Sequence, residues 1–237
     1  GLARESVIAS LFGLTGLTSA FTTASRVTTQ TYDLLISGAI SSALVPTFSE
    51  YAAAGRWDEL WRVASTVLTL VVVLLVLATG ALMALAPYLV ALLGPEPTHQ
   101  LFPLTVQLTV LALPSVVFLG MAGVLSALLY VRQRFALPAF ATATFNAGVI
   151  VAAVALGPTS LGIASLSLGL VLGALCQMGL QLLGLREFRY RPRLDLGHPA
   201  VRAILRLYLP VAAGLVVSTA GVVIDTALAW RAGEESL

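Results

Sequence analysis

The sequence predicts an all-α integral membrane protein, a bundle of transmembrane helices, and three observations predict it. The first is composition: 58% of the 237 residues are hydrophobic and 10% are charged, with a mean hydropathy of +0.96. A soluble domain carries about 25% charged residues as a polar skin, and this chain has too few to cover itself. The second is run length. The apolar runs are too long for strands and lack hairpin turns, and helices satisfy their own backbone bonds in lipid. At roughly 20 apolar residues per span, the chain allows about seven crossings. The third is the placement of arginine, which follows from the elements themselves.

Residues 1–12 read as the end of a first helix, cut short at its start, because no methionine, basic leader or cleavage site precedes the apolar run. A turn at 13–16 leads into a long second element, 17–51, in which Gly38 and Pro46 predict a bend or break. Residues 57–93 form a third helix with an aliphatic middle, closed by a turn holding Pro95 and Pro97. A fourth helix over 101–131 is interrupted by Pro114; a fifth covers 135–156 and a sixth 161–185. A polar connector, 186–197, precedes a seventh helix over 199–230 with Pro210 inside it. The expected organisation is six helices over 1–190, followed by the connector and helix seven over 191–237; the resemblance described below implies that the first part is an N-terminal lobe and the second the start of another.

Arginine gives an independent test of that helix count. Arg56, Arg62, Arg132, Arg134, Arg186, Arg189, Arg191, Arg193, Arg202 and Arg206 all lie in or beside every second connector, and the alternate connectors 13–16, 94–99 and 157–160 have none. Cytoplasmic loops carry such an excess. The arginine-bearing connectors are therefore expected to face the cytoplasm, in a chain that crosses the membrane several times with a cytoplasmic N-terminus. The pI near 9.0 reflects this bias rather than nucleic-acid binding, and REFRYRPRLD (186–195) reads as a loop facing lipid headgroups.

Ionisable residues at membrane depth are costly unless they meet water or a partner. Arg4 falls about 12 Å and Arg26 about 14 Å from the end of the bundle that holds the 13–16 turn, at 1.5 Å per residue. Two guanidinium groups at similar depth suit an aqueous cavity for an anion, since arginine's planar fork matches phosphate oxygens. Internal pairing, Arg4 with Asp33 or Arg26 with Glu5, is the competing expectation. The run of threonine and serine from Thr15 to Thr31, including Ser19, favours a cavity, because lipid does not accept it cheaply. Asp225, late in helix seven, is either a cation or proton site or a helix-end residue reaching water. Asn146, Gln107, Gln177 and Gln181 are expected to bond between helices, Gly169 and Gly173 to mark close packing, and His99 and His198 to be solvated. No Gly-rich phosphate loop, paired histidines or Ser-His-Asp set with usable spacing occurs, and the one cysteine, Cys176, lies in an apolar stretch. The expectation is a protein that is not an enzyme, with no metal and no cofactor.

GLARESVIASLFG, TSAFTTASRV and LLISGAISSALVPTFSEY, in this order, resemble the start of the MviN/MurJ lipid II flippases. GVLSALLYVRQRFALPAFATATFN resembles that family's fourth-to-fifth helix region, and YRPRLDLGHPAVRAILRLYLP and IDTALAWRAGEESL resemble its entry to and exit from helix seven. The resemblance implies a fourteen-helix exporter of the multidrug/oligosaccharidyl-lipid/polysaccharide type, with two lobes, moving undecaprenyl-pyrophosphate-linked peptidoglycan precursor outward by alternating access. The partners it implies are that lipid-linked sugar pyrophosphate, membrane lipids and a C-terminal lobe beyond this chain. Arg4 matches a family arginine thought to meet the pyrophosphate, Arg26 a basic position of helix two, and Asp225 a helix-seven acid associated with sodium in some members. Ser10, Ser19, Thr28, Tyr32, Asp33 and Ser37 stand where the family has Arg, Asp, Pro, Arg, Arg and an acid. The candidate substrate-binding residues are thus Arg4, Arg26, Ser19 and Asp33, with Asp225 the candidate for coupling to Na+ or H+. An exporter of another polyprenyl-linked polysaccharide, a transporter of cationic small molecules resting on Glu5, Asp33 and Asp225, and a non-transporting membrane fragment are the alternatives.

Overall fold

The computed structural model describes residues 2–13, 15–33, 43–93, 100–188, 190–192, 194–195, 197–204 and 206. Among these residues there is no strand, and the helices are α1 (Leu2–Phe12), α2 (Gly16–Tyr32), α3 (Val45–Ala53), α4 (Trp57–Ala84), α5 (Ala86–Leu93), α6 (Phe102–Ala112), α7 (Ser115–Val131), α8 (Ala136–Leu156) and α9 (Ala164–Leu183). Four stretches, Trp57–Ala84, Phe102–Val131, Ala136–Leu156 and Ala164–Leu183, are long and apolar enough to cross a membrane. The expected all-helical membrane bundle is therefore observed. The seventh helix is seen only at its start, with residues 199–204 helical; Gly38, His99, Pro210 and Asp225 lie outside the described residues.

Proline explains the breaks. Pro114 separates α6 from α7 because its ring removes an N–H and crowds the carbonyl of Val110. Within the break the Ser115 hydroxyl donates to the Ala112 carbonyl at 2.7 Å. The long third element breaks too, between α4 and α5 at Leu85, where Pro87 does the same to the turn before it. Pro46 instead sits in the first turn of α3, where a missing N–H costs nothing.

The ends of the bundle sort the connectors as the arginine pattern requires. At one end a side chain added at Gly16 would touch Leu101, and one added at Gly157 would touch Phe12, so the 13–16, 100–101 and 157 connections converge. At the other end Arg132 stacks 5.0 Å from the Trp57 ring and 5.9 Å from Trp61 and pairs with Glu187. Beside it Arg134 donates to the Gly184 carbonyl, and Trp61 packs on Phe188 at 5.5 Å. The connector continues along α4, with the Tyr190 and Thr69 hydroxyls 2.9 Å apart. His198, expected to be solvated, accepts from the backbone N–H of Ala200 through Nδ1 at 3.2 Å and stacks on Tyr51.

Two larger apolar cores form among the described residues, beside a small cluster around Leu75 and Val116. One gathers Phe48, Leu60, Val63, Leu125, Leu128 and Ile204 near the arginine-rich end. The other gathers Ile8, Phe21, Ala24, Leu108, Val149 and Leu166 near the opposite end. Helices α8 and α9 form the most extensive pair because glycine lets their backbones approach. A Cβ on Gly148 would lie 2.6 Å from Gly173 Cα, and one on Gly173 would lie 2.5 Å from the Phe145 carbonyl oxygen. Gln181 is fully buried and donates to Ser126 on α7 at 2.7 Å, the bond between helices expected of it. Asn146 instead donates to the Thr142 carbonyl of its own helix.

Candidate substrate groove between α1 and α2

Helix α1 packs mainly on α8, and α2 mainly on α6, so the two touch each other little. The splay opens a groove of about 660 Å3 whose lining includes Arg4, Glu5, Ser19, Thr22, Ser25 and Arg26. Helix α2 is amphipathic in an unusual sense. Its buried stripe is Ala20, Phe21, Ala24, Val27, Thr28 and Thr31, at the spacing of one helical face. Thr18, Ser19, Thr22, Thr23, Ser25 and Arg26 occupy the rest of the surface and line the groove. The polar run thus has two destinations, and its hydroxyls survive burial because they bond their own helix. Thr28 donates to the Ala24 carbonyl at 3.0 Å and Thr31 to Val27 at 2.8 Å.

Three of the four candidate substrate-binding residues therefore share one groove: Arg4, Ser19 and Arg26. Asp33 lies two turns past Arg26, at the C-terminal cap of α2, off that lining. Neither cross-helix ion pair occurs among the described residues. Arg4 Nη2 instead donates to Oε1 of its neighbour Glu5 at 2.7 Å, with the Arg4 side chain 23% exposed and that of Glu5 61% exposed. Arg4 Nε is buried without a hydrogen-bond partner, a donor whose loss of water is uncompensated. Arg26 is exposed and makes no ion pair among the described residues. Two arginines against one carboxylate leave the lining net positive.

Two features of this region are hard to see in the sequence. The pairing of Arg4 with Glu5 is hidden because adjacent residues on a helix do not face each other, and only the long arginine side chain closes the gap. The anchoring of the connector through Arg132, Glu187, Trp57 and Trp61 joins residues far apart in the chain; its only trace is aromatic residues interleaved with arginine.

The sequence profile of the family described as lipid II flippase MurJ matches residues 8–236. The lipid II flippase MurJ of Burkholderia cenocepacia is 30% identical over 243 residues, covering 99% of this chain and 47% of that protein. The probable lipid II flippase MurJ of Vibrio cholerae is 30% identical over 241 residues, covering 97% of this chain and 46% of that protein. A solved structure titled lipid II flippase MurJ, inward closed conformation, superposes with a TM-score of 0.75 at 21% identity, covering 95% of this chain and 47% of that one. The chain spans about half the length of the curated relatives it matches. A helix order, a fold and a profile that agree over nearly every residue leave one assignment: the chain belongs to the lipid II flippase MurJ family.

Proposed function

We propose that this chain is the substrate-binding half of a flippase that carries lipid II, an undecaprenyl-pyrophosphate-linked peptidoglycan precursor, outward across the bacterial cytoplasmic membrane by alternating access. The observation that carries the reading is the net positive groove between α1 and α2, with Arg4 and Arg26 in its lining. Phosphate oxygens are the natural partners of the groove-lining guanidinium groups of Arg4 and Arg26. A cationic substrate would meet like charge there, which disfavours the small-cation alternative. Ser10, Ser19 and Tyr32, where the family has charged residues, favour a second reading, export of another polyprenyl-linked polysaccharide.

In this proposal residues 1–190 form one lobe and 191–237 lead into a second, of the length by which the relatives exceed the match. Rocking of the lobes opens the groove to each side in turn. Asp225 is the proposed coupling acid for Na+ or H+, and no cofactor takes part. Ser19 lies within reach of a headgroup held by the arginines, and Asp33 takes no part in that contact.

Two experiments test the proposal. Expression of the whole flippase, this chain joined to its second lobe, in cells depleted of their own lipid II flippase is expected to restore growth and cell shape; a whole protein that reaches the membrane in full amount yet restores neither contradicts lipid II as substrate. The proposed orientation has a cytoplasmic N-terminus, and ten arginines in or beside every second connector support it. Alkaline phosphatase fused within 157–160 is expected to be active and within 132–134 inactive. The reverse pattern rules out this orientation.

A further inference from the structure

The hydroxyls that line the groove are already committed as donors. Thr22 donates to the Thr18 carbonyl at 2.8 Å, Thr23 to the Ser19 carbonyl at 3.1 Å, and Ser25 to the Thr22 carbonyl at 2.9 Å. A hydroxyl has one proton and two lone pairs. With the proton turned back on the helix, each oxygen offers the groove lone pairs only. The arginines of the same groove, Arg4 and Arg26, are donors without an acceptor atom. The Glu5 carboxylate of the lining is engaged by Arg4; the rest is divided by hydrogen-bond polarity, with guanidinium donors at two points and hydroxyl acceptors along the α2 wall.

A phosphate is rich in acceptors and has no donor to spare at neutral pH, so it fits the arginines and is repelled by lone pairs on the wall. The wall is complementary to the opposite chemistry, O–H and amide N–H groups. We infer that the α2 wall formed by Thr22, Thr23 and Ser25 binds the donor groups of a sugar joined to the phosphate, so that the groove selects glycosylated over bare polyprenyl pyrophosphate. Ser19 accords with this division, since its hydroxyl leans toward the Thr15 carbonyl at 3.5 Å. The inference rests on the proposed function, for the arginines must hold the pyrophosphate before the wall can meet the sugar.

The test compares two probes, undecaprenyl pyrophosphate and lipid II, binding to the full protein in nanodiscs. The variant carries Thr22→Val, Thr23→Val and Ser25→Ala, changes that keep side-chain volume nearly constant. Lipid II binding is expected to fall about tenfold, the loss of one to two neutral hydrogen bonds, while undecaprenyl pyrophosphate binding stays the same or tightens. Thr22→Ser, which keeps the hydroxyl, is expected to bind both lipids as the parent does, and matching thermal melting of all variants reports an intact fold. Equal losses for the two lipids, or unchanged lipid II binding, overturn the inference while leaving the arginine site standing. A parent protein that binds neither lipid overturns the proposed function first, and this inference with it.

Discussion

Arg4→Ala is expected to abolish complementation of a flippase-depleted strain while leaving the protein in the membrane at normal amount. The substitution removes a largely buried guanidinium from the groove lining. A hydrogen bond to a charged group contributes about 1.5–3 kcal/mol, so losing the phosphate contact weakens headgroup binding by about 10- to 150-fold. Arg4→Lys keeps the charge but not the fork and is expected to fall between. Arg26→Ala is expected to cost less, because Arg26 is exposed and water can replace it. Normal growth of the Arg4→Ala strain would remove Arg4 from the binding site. The fold is not expected to hinge on this residue, whose one ion pair among the described residues is to its exposed neighbour.

The largest effect on stability is expected at the α8–α9 seam. Gly173→Ala drives a methyl to 2.5 Å from the Phe145 carbonyl oxygen, and Gly148→Ala drives one to 2.6 Å from Gly173 Cα. Both obstacles are backbone, which cannot rotate away, so the helices must part along their length. Overpacking of this kind costs about 1–3 kcal/mol, a loss of several degrees in Tm, and Gly173→Leu is expected to yield no folded protein. Gly179→Ala supplies the control on the same helix. Nothing lies within 4 Å of a Cβ there, and alanine favours the helix by up to about 1 kcal/mol over glycine, so Tm is expected to hold or rise. Equal losses at Gly173 and Gly179 would show that backbone approach is not what glycine provides.

How much of this was legible beforehand depended on whether the signal was local. The break at Pro114 was visible because proline acts on its own turn. The same rule applied at Pro87, yet the aliphatic run around it masked the break between α4 and α5. Alternation of arginine between connectors anticipated which turns meet at each end, since lipid imposes that pattern on the whole chain. The groove was half legible: the depths of Arg4 and Arg26 follow from helix rise, and both line it. Partners were not legible, because a pair such as Arg132 with Glu187 depends on how helices meet. Nor was the direction of each hydroxyl on α2, which a list of threonines and serines does not carry. Asp33 was grouped with the groove on sequence position, but α2 turns it onto the helix end instead.

Proteoliposomes holding the protein and fluorescent lipid II, with the outer leaflet probed by a membrane-impermeant quencher, test the central claim most directly. The account predicts movement of the labelled lipid between leaflets that disappears with Arg4→Ala and is slowed by Arg26→Ala. Movement at the parent rate in the Arg4→Ala protein, or none in the parent itself, would contradict it.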